Sequence, residues 1–251
     1  MSELSEIHRS LIGQANGTEE INDAWTTDGY TPTRNEKSYD SSFAEVLKSG
    51  GYRSIAQFLE RRKEKGLSTH CLDLMGSAIY PRAAGHIDSA IGVRIKNSDE
   101  YLKGQALLNY PNSVGDINEV FGHNNRHIVE GNVFSRRTVR SIERTMKEMG
   151  ISGFDLITCR PDGPFRKHTT EKTIAEDEDS IAAYYAVQLQ RYATLLNEGG
   201  VMLIQVPQRE SLYSRLDGLS ELLEEETCNH EVFNSDYPSD SKVLLVKKLQ
   251  T

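Results

Sequence analysis

Short apolar runs alternate with amphipathic stretches through most of the chain. Five runs have the length and apolar content that are typical of buried strands; they lie around Leu72 and at Ala90–Ile95, Arg126–Asn132, Gly153–Cys159 and Val201–Val206. Two further runs, His230–Phe233 and Val243–Val246, flank a turn with Pro238 and predict a hairpin. Because strands that alternate with helices form a parallel sheet covered on both faces, the pattern predicts an α/β fold.

Periodic apolar residues predict helices in the intervening stretches. These helices are centred on Phe43–Leu47, Ile55–Leu59, Val139–Met149, Ile181–Leu196 and Leu212–Leu223. The first is expected to begin at Ser41, and the fourth is expected to end at Asn197–Gly200. The second ends in the basic cluster Arg61–Lys65, which we interpret as structural because cations suit the last turn of a helix.

The first 40 residues are polar and show little periodicity. One interpretation is a mobile leader; the other is a lid whose Trp25 and Tyr30 close over a pocket in the main domain. We therefore divide the sequence into an N-terminal segment, residues 1–40, and one domain, residues 41–251.

Composition and charge narrow the class of protein. A hydrophobic content of 37%, a mean hydropathy of -0.54 and the absence of a run of about 20 apolar residues predict a protein without a membrane span. No signal peptide is evident, and the three cysteines are widely spaced, which favours reduced thiols and a cytoplasmic location. The net charge of -8 argues against strong non-specific attraction to nucleic acid or to an anionic membrane as partner.

One helix departs from this acidic balance. The face of the 139–149 helix that is opposite its apolar residues carries Arg137, Arg140, Arg144 and Lys147. A nucleic-acid-binding stripe and an ordinary solvated face are both open interpretations, and the acidic total favours the solvated face.

The stretch His70–Pro81 is the corner around which the rest of the chain is arranged. A strand is followed by Gly76, which permits a tight turn, and by Pro81, which suits the first position of a helix. Such a corner either cradles an anion or nucleotide or is a plain strand-to-helix junction. Ligands of parallel sheets bind beyond the carboxyl ends of the strands, so the turns after the first four strands are expected to form one crevice.

These pieces, in this order, resemble the class I S-adenosylmethionine (SAM)-dependent methyltransferases. The resemblance covers roughly residues 68–249 and rests on weak motifs in the right order: Leu72–Gly76, Ala90–Val93, Phe154–Ile157, Leu195–Val201 and Lys242–Val246. It implies a Rossmann-like, mostly parallel seven-stranded sheet with helices on both faces and an antiparallel C-terminal strand. It also implies SAM as cofactor and a small molecule or a protein as methyl acceptor; it says nothing of the oligomeric state.

The resemblance also implies a set of site residues. The cofactor-binding candidates are Asp73, Met75, Gly76, Ser77, Arg94, Asn132, Val133 and Cys159. Asp162, in a Pro/Gly-rich turn, would orient or deprotonate the acceptor, or else it only stabilises that turn.

Two departures from the family pattern motivate an alternative function. Ile79 and Tyr80 stand where glycines are usual, and Arg94 stands where an acid usually accepts bonds from the ribose. The alternative is a methyltransferase-like protein that has lost catalysis and serves as a binding or scaffolding module. Under either reading Arg94 faces the ribose, where it would favour an anionic ligand, or points to solvent or a nearby acid.

Other chemistries have less support in the sequence. His123 and His127 are four residues apart, but no carboxylate or cysteine completes a ligand set, so no metal site is expected. The sequence has no G-x-S-x-G elbow, P-loop or full G-x-G-x-x-G motif, which disfavours hydrolase, ATPase and nicotinamide-dependent activities.

Overall fold

A computed structural model describes residues 36–74, 81–94, 125–131, 133, 136–159, 189–206, 230–237 and 241–249. The helices are α1 (Glu36–Ser49), α2 (Ile55–Glu64) and α3 (Arg136–Met149), and Pro81–His86 form a 3-10 helix. The strands are β1 (His70–Leu74), β2 (Ser89–Arg94), β3 (Arg126–Glu130), β4 (Phe154–Cys159), β5 (Leu196–Val206), β6 (His230–Tyr237) and β7 (Ser241–Lys248). Residues 189–193 are helical.

The described strands form one seven-stranded sheet in the order β3-β2-β1-β4-β5-β7-β6. Strands β1 to β5 are parallel, and β7 runs antiparallel between β5 and β6. The first five strands have the order of doubly wound nucleotide-binding sheets, which reverses between β1 and β4. The predicted α/β fold, with its antiparallel C-terminal strand, is confirmed.

Helices cover both faces of the sheet. On one face α3 buries Ile142 and Met146, and helical residues 189–193 bury Leu189 and Tyr192. On the other face α1 packs Phe43 and its neighbours into one cluster with α2 and with Val243 and Leu245 of β7. The approach of α1 to β7 is close, because a Cβ on Gly50 would lie 2.9 Å from Leu245 Cδ1. The first and last described elements therefore share one core.

A buried ion pair joins α2 to the amino end of β4. Arg62 Nη2 lies 2.5 Å from Asp155 Oδ1, and the Asp155 side chain is fully buried. The same carboxylate accepts hydrogen bonds from the backbone N–H of His70 at 2.7 Å and from Asn197 Nδ2 at 3.1 Å. Arg62 Nη1 also donates to the carbonyl of Glu198 at 3.3 Å. The basic cluster at the end of α2 therefore has a structural role, as predicted. Three of its cations lie in the last turn of the helix, and Arg62 also forms the buried ion pair with Asp155.

The segment Asn197–Gly200 lies within β5 and does not end a helix, contrary to the prediction from its glycines. It was expected to end a helix, whereas helical structure ends at residue 193 and β5 begins at Leu196. Between the register pairs Phe154–Leu196 and Leu156–Val201, β4 has one residue and β5 has four, which is a bulge. Gly199 has a φ of 67°, and a Cβ on Gly200 would lie within 3.2 Å of three carbonyl oxygens. The two glycines therefore permit a bulge around the Arg62–Asp155 pair.

Helix α1 begins at Glu36, five residues before the expected Ser41. Among the described residues, no helix is both long enough and apolar enough to cross a membrane.

Candidate functional site

The candidate site is the carboxyl edge of four neighbouring strands. Strands β3, β2, β1 and β4 are adjacent and parallel, so their carboxyl ends lie side by side. The last buried layer below this edge is a row of register partners, Val129, Val93, Leu74 and Cys159, all facing one core. An apolar layer of this kind excludes water from beneath a ligand that lies across the strand ends.

Asp73 lies one residue before the carboxyl end of β1 and is 1% exposed. Its register partner on β4 is Thr158, whose Oγ1 donates a hydrogen bond of 2.9 Å to Asp73 Oδ1. Burial of a carboxylate is costly unless hydrogen bonds compensate for it, and Thr158 supplies one. The pair sits between β1 and β4, where the strand order reverses and where ligands of doubly wound sheets bind.

Arg94 is the last residue of β2, and its register partner is Glu130, the last residue of β3. The Glu130 side chain is exposed. A carboxylate is therefore present at this edge, but on the strand next to the one that the resemblance implies. The orientation of the Arg94 side chain lies outside the described residues, so both expectations for it stay predictions.

Val133 is buried in the turn after β3, and its carbonyl accepts a hydrogen bond from the Tyr192 hydroxyl. Tyr192 belongs to the helical residues before β5, so this bond ties two separate connections together. The start of α3 also packs closely against this turn, because a Cβ on Gly131 would collide with Thr138 Oγ1. Both contacts position the chain at the edge of the crevice.

Four of the predicted site residues lie together at this edge: Asp73, Arg94, Val133 and Cys159. The other five, Met75, Gly76, Ser77, Asn132 and Asp162, lie outside the described residues, as do His123, Ile79, Tyr80, the proposed lid with Trp25 and Tyr30, and the 212–223 helix. Within the described ranges no group of three or more His, Cys, Asp or Glu side chains could hold a metal ion.

Sequence reasoning missed three residues at the edge: Thr158, Glu130 and the hydroxyl of Tyr192. A tyrosine in an apolar stripe is a recognisable signal, because its buried hydroxyl needs a partner that phenylalanine would not. Thr158 and Glu130 have no local signal. Their importance depends on the register of strands that are far apart in sequence.

At the amino edge of the sheet, the carboxylates of Asp88 and Asp155 each form an ion pair with a cation of α2. Asp88 accepts hydrogen bonds from Lys63 Nζ at 2.6 Å and from the backbone N–H of Thr69 at 2.9 Å. Burial alone would raise the pKa of Asp88, but these hydrogen bonds outweigh it and the pKa is lowered. Together with the Arg62–Asp155 pair, this contact makes the amino edge a structural region.

Neither a protein-family model nor a curated protein matches the sequence. Solved structures with a similar arrangement include an O-methyltransferase from Bacillus cereus in complex with S-adenosylhomocysteine (SAH), at 11% identity over 94% of this chain and 100% of that chain, with a TM-score of 0.44. An rRNA methylase from Streptococcus thermophilus is similar at 10% identity over 73% of this chain and 88% of that one, with a TM-score of 0.42.

A candidate SAM-dependent methyltransferase from Streptococcus mutans is similar at 13% identity over 78% of this chain, with a TM-score of 0.44. The alignment spans 48% of that protein, about half its length. The fold assignment rests on the strand order of this chain itself. By that order, the chain has the Rossmann-like fold that the methyltransferase resemblance implies.

Proposed function

We propose that this protein is a SAM-dependent methyltransferase. The observation that carries the proposal is the buried Asp73–Thr158 pair at the point where the strand order reverses. That point is where sheets of this order bind nucleotide-like ligands. The resemblance assigns the cofactor to the same edge.

The described residues fit an adenosyl group and a sulfonium in most respects. The buried row that includes Val93, Leu74 and Cys159 offers apolar contact to a base, and Asp73 and Glu130 are carboxylates that accept bonds and attract a cation. Arg94 is the one residue that does not fit, because a guanidinium cannot accept a bond from a ribose hydroxyl. Glu130, its register partner, supplies the acceptor instead.

The proposed division of roles combines these positions with the roles that the resemblance implies. When bound, SAM supplies an electrophilic methyl group on a sulfonium. Thr158 holds the Asp73 carboxylate in one orientation. Met75, Gly76 and Ser77 are proposed to contact the cofactor, and Asn132 and Val133 to border its base. Asp162 orients the acceptor or accepts its proton. Holding two reactants in line in this way can contribute about 7–11 kcal/mol to a displacement.

The acceptor is proposed to be a small molecule or a protein side chain, in a cytoplasmic setting. The alternative, a methyltransferase-like scaffold without catalysis, is motivated by Arg94 and by Ile79 and Tyr80. The two differ in a measurable way, because only the enzyme both binds the cofactor and transfers its methyl group.

Calorimetry with SAH tests the proposal. We expect saturable binding in the micromolar range, an Asp73→Asn variant that binds at least about tenfold more weakly (about 1.4 kcal/mol), and an unchanged Glu60→Gln variant as the matched control. Glu60 is an exposed carboxylate on α2, away from the carboxyl edge. The absence of binding to folded wild-type protein at millimolar SAH would overturn the proposal.

A second experiment separates the enzyme from the scaffold. Radiolabelled SAM is incubated with wild-type and Asp73→Asn protein in a cell lysate, and labelled products are counted. Label transferred by the wild type alone supports catalysis. SAH binding without any labelled product favours the scaffold. Arg94→Asp then tests the pocket: tighter SAH binding means that Arg94 faces the ribose, and unchanged binding means that it does not.

A further inference from the structure

The outward face of α3 is strongly basic in a chain whose net charge is -8. Its cations are all exposed, and we call them the α3 basic stripe: Arg136, Arg137, Arg140, Arg144 and Lys147. At 3.6 residues per turn the five fall within an arc of about 100°, and no acid lies among them. Glu143 and Glu148 lie at the two borders of that arc, and the buried Ile142 and Met146 lie on the opposite side.

Helix stability accounts for Lys147, which lies in the last turn of α3, but not for the arginines at the start of the helix. The first turn of α3 has no acidic residue, yet it carries Arg136 and Arg137 at the end where the helix dipole disfavours cations. Within the stripe, Arg144 Nε lies 3.9 Å from Glu148 Oε1, and both side chains are more than half exposed. An ion pair of that length and exposure contributes little. A charge pattern that opposes local stability is a mark of binding.

The spacing and chemistry of the stripe match a row of phosphates. Arg137, Arg140, Arg144 and Lys147 follow one another at three or four residues, so successive cations rise about 4.5–6 Å along the helix and span about 15 Å. That step suits the regularly repeated charges of an extended nucleic-acid strand. All but one of the five are arginines, whose forked guanidinium matches phosphate oxygens in a way that lysine does not.

The position of the stripe connects it to the carboxyl edge. Helix α3 follows β3, so Arg136 and Arg137 lie near the strand ends and Lys147 lies near the opposite edge of the sheet. The acidic total does not cancel this field, because at physiological salt exposed charges are screened beyond about 8 Å.

We propose that the α3 basic stripe binds a single nucleic-acid strand through its phosphates. The inference goes beyond the proposed function, because such binding does not require SAM or methyl transfer.

Fluorescence anisotropy with a labelled 12-nucleotide oligouridine tests the inference on the full chain. We expect binding whose logarithm falls with the logarithm of salt concentration at a slope of about −3, from four or five phosphates at 0.7 each. The variant Arg140→Gln/Arg144→Gln/Lys147→Gln should bind at least about tenfold more weakly in 0.1 M salt, with the slope reduced by about 2.

The matched control is Lys48→Gln/Arg53→Gln/Lys65→Gln, which removes the same charge from exposed positions on and around α1 and α2. It should bind within threefold of wild type. An oligodeoxythymidine of equal length should bind about as well as the RNA, because phosphate contacts do not distinguish the sugars. Circular dichroism of each variant checks that the fold is kept.

Three outcomes would overturn the inference. Equal losses in the two triple variants would mean a general charge effect. Preference for a duplex over the single strand would mean that the spacing argument is wrong. Failure of the oligonucleotides to bind in 50 mM salt, with binding of polyglutamate instead, would assign the stripe to an acidic protein. Since SAH binding is measured separately, none of these results bears on the proposed function.

Discussion

Thr158 donates a hydrogen bond of 2.9 Å to the buried carboxylate of Asp73, and this bond joins β4 to β1 where the strand order reverses. Thr158→Val keeps the shape of the side chain and removes the donor. We expect the free energy of unfolding to fall by about 1–3 kcal/mol, because the buried Asp73 carboxylate loses the hydrogen bond that Thr158 supplies. We also expect weaker SAH binding, because Thr158 no longer orients the Asp73 carboxylate.

Urea unfolding and calorimetry measure the two effects of Thr158→Val. Thr145→Val is the matched control, since Thr145 is a half-buried residue of α3 whose Oγ1 donates a hydrogen bond to the carbonyl of Ser141. Losing this bond should lower the free energy of unfolding by less than about 1 kcal/mol. Equal unfolding free energies for the two variants would contradict the importance of the Thr158–Asp73 bond.

Removing Arg62 should be far more damaging than removing a surface cation. Arg62→Met leaves the fully buried Asp155 without its counter-charge, so we expect a loss of about 3–5 kcal/mol in urea unfolding at pH 7. Arg144→Met breaks an exposed pair and should cost no more than about 0.5 kcal/mol. A similar loss in both variants would mean that the Arg62–Asp155 pair is not a structural centre.

The bulge in β5 predicts a sharp difference between two glycines. Gly200→Ala places a Cβ 2.8 Å from the carbonyl oxygen of Asn197 and 3.0 Å from that of Phe154, and backbone cannot move away cheaply. We expect destabilisation of about 3 kcal/mol by thermal or urea unfolding. Gly85→Ala meets no atom within 4 Å and should be neutral or slightly stabilising. A stable Gly200→Ala protein would show that the bulge is built differently.

The lowered pKa of Asp88 predicts acid sensitivity. Because the pKa is lower in the folded protein than its unfolded value of about 3.9, the ionised form stabilises the fold above that pH. This stabilisation is lost as the pH falls through the folded pKa. Asp88→Asn should therefore flatten the pH dependence of urea unfolding below about pH 4.5. The effect should shrink in high salt, since the side chain is 42% exposed. Unchanged pH dependence would contradict the assignment to Asp88.

The Cys71 thiol should be inert in the folded protein. Burial raises its pKa well above the usual value, and the charges of Asp155, Asp73 and Asp88 raise it further. Since the thiolate is the reactive form, alkylation by iodoacetamide at pH 8 should be at least about 100-fold slower than in denaturant. Peptide mapping by mass spectrometry follows the reaction at this residue. Rapid labelling of folded protein would mean that β1 opens readily.

The sequence was sufficient to predict the elements whose signal is local. Helix α3 was recognised because Val139, Ile142, Met146 and Met149 repeat at helical spacing, and the structure buries that face wholly or in part. The apolar strand around Leu72 was predicted in the same way, and β1 spans His70–Leu74. The helix and strand predictions use only neighbouring residues. Asp73 became a candidate because the methyltransferase resemblance implies it, and it lies on that strand.

What the sequence did not predict depends on residues that are far apart. Arg62 was assigned to a helix end, but its partner Asp155 is 93 residues away, and Thr158 is 85 residues from Asp73. Asn197–Gly200 was interpreted as a helix terminator because glycines commonly end helices. The same glycines also permit a bulge, and only the register of β4 against β5 distinguishes the two. Strand register is a property of the assembled sheet and leaves no local trace.

The packing of α1 on β7 has a consequence for the order in which the protein folds. Phe43, Val46 and Leu47 are completely buried in a cluster that includes Val243 and Leu245, which lie at the other end of the described chain. Closing so long a loop is entropically expensive and is favoured only after the intervening sheet has formed. We therefore expect α1 to dock late, and its amide protons to gain protection from hydrogen exchange after those of β1 and β4.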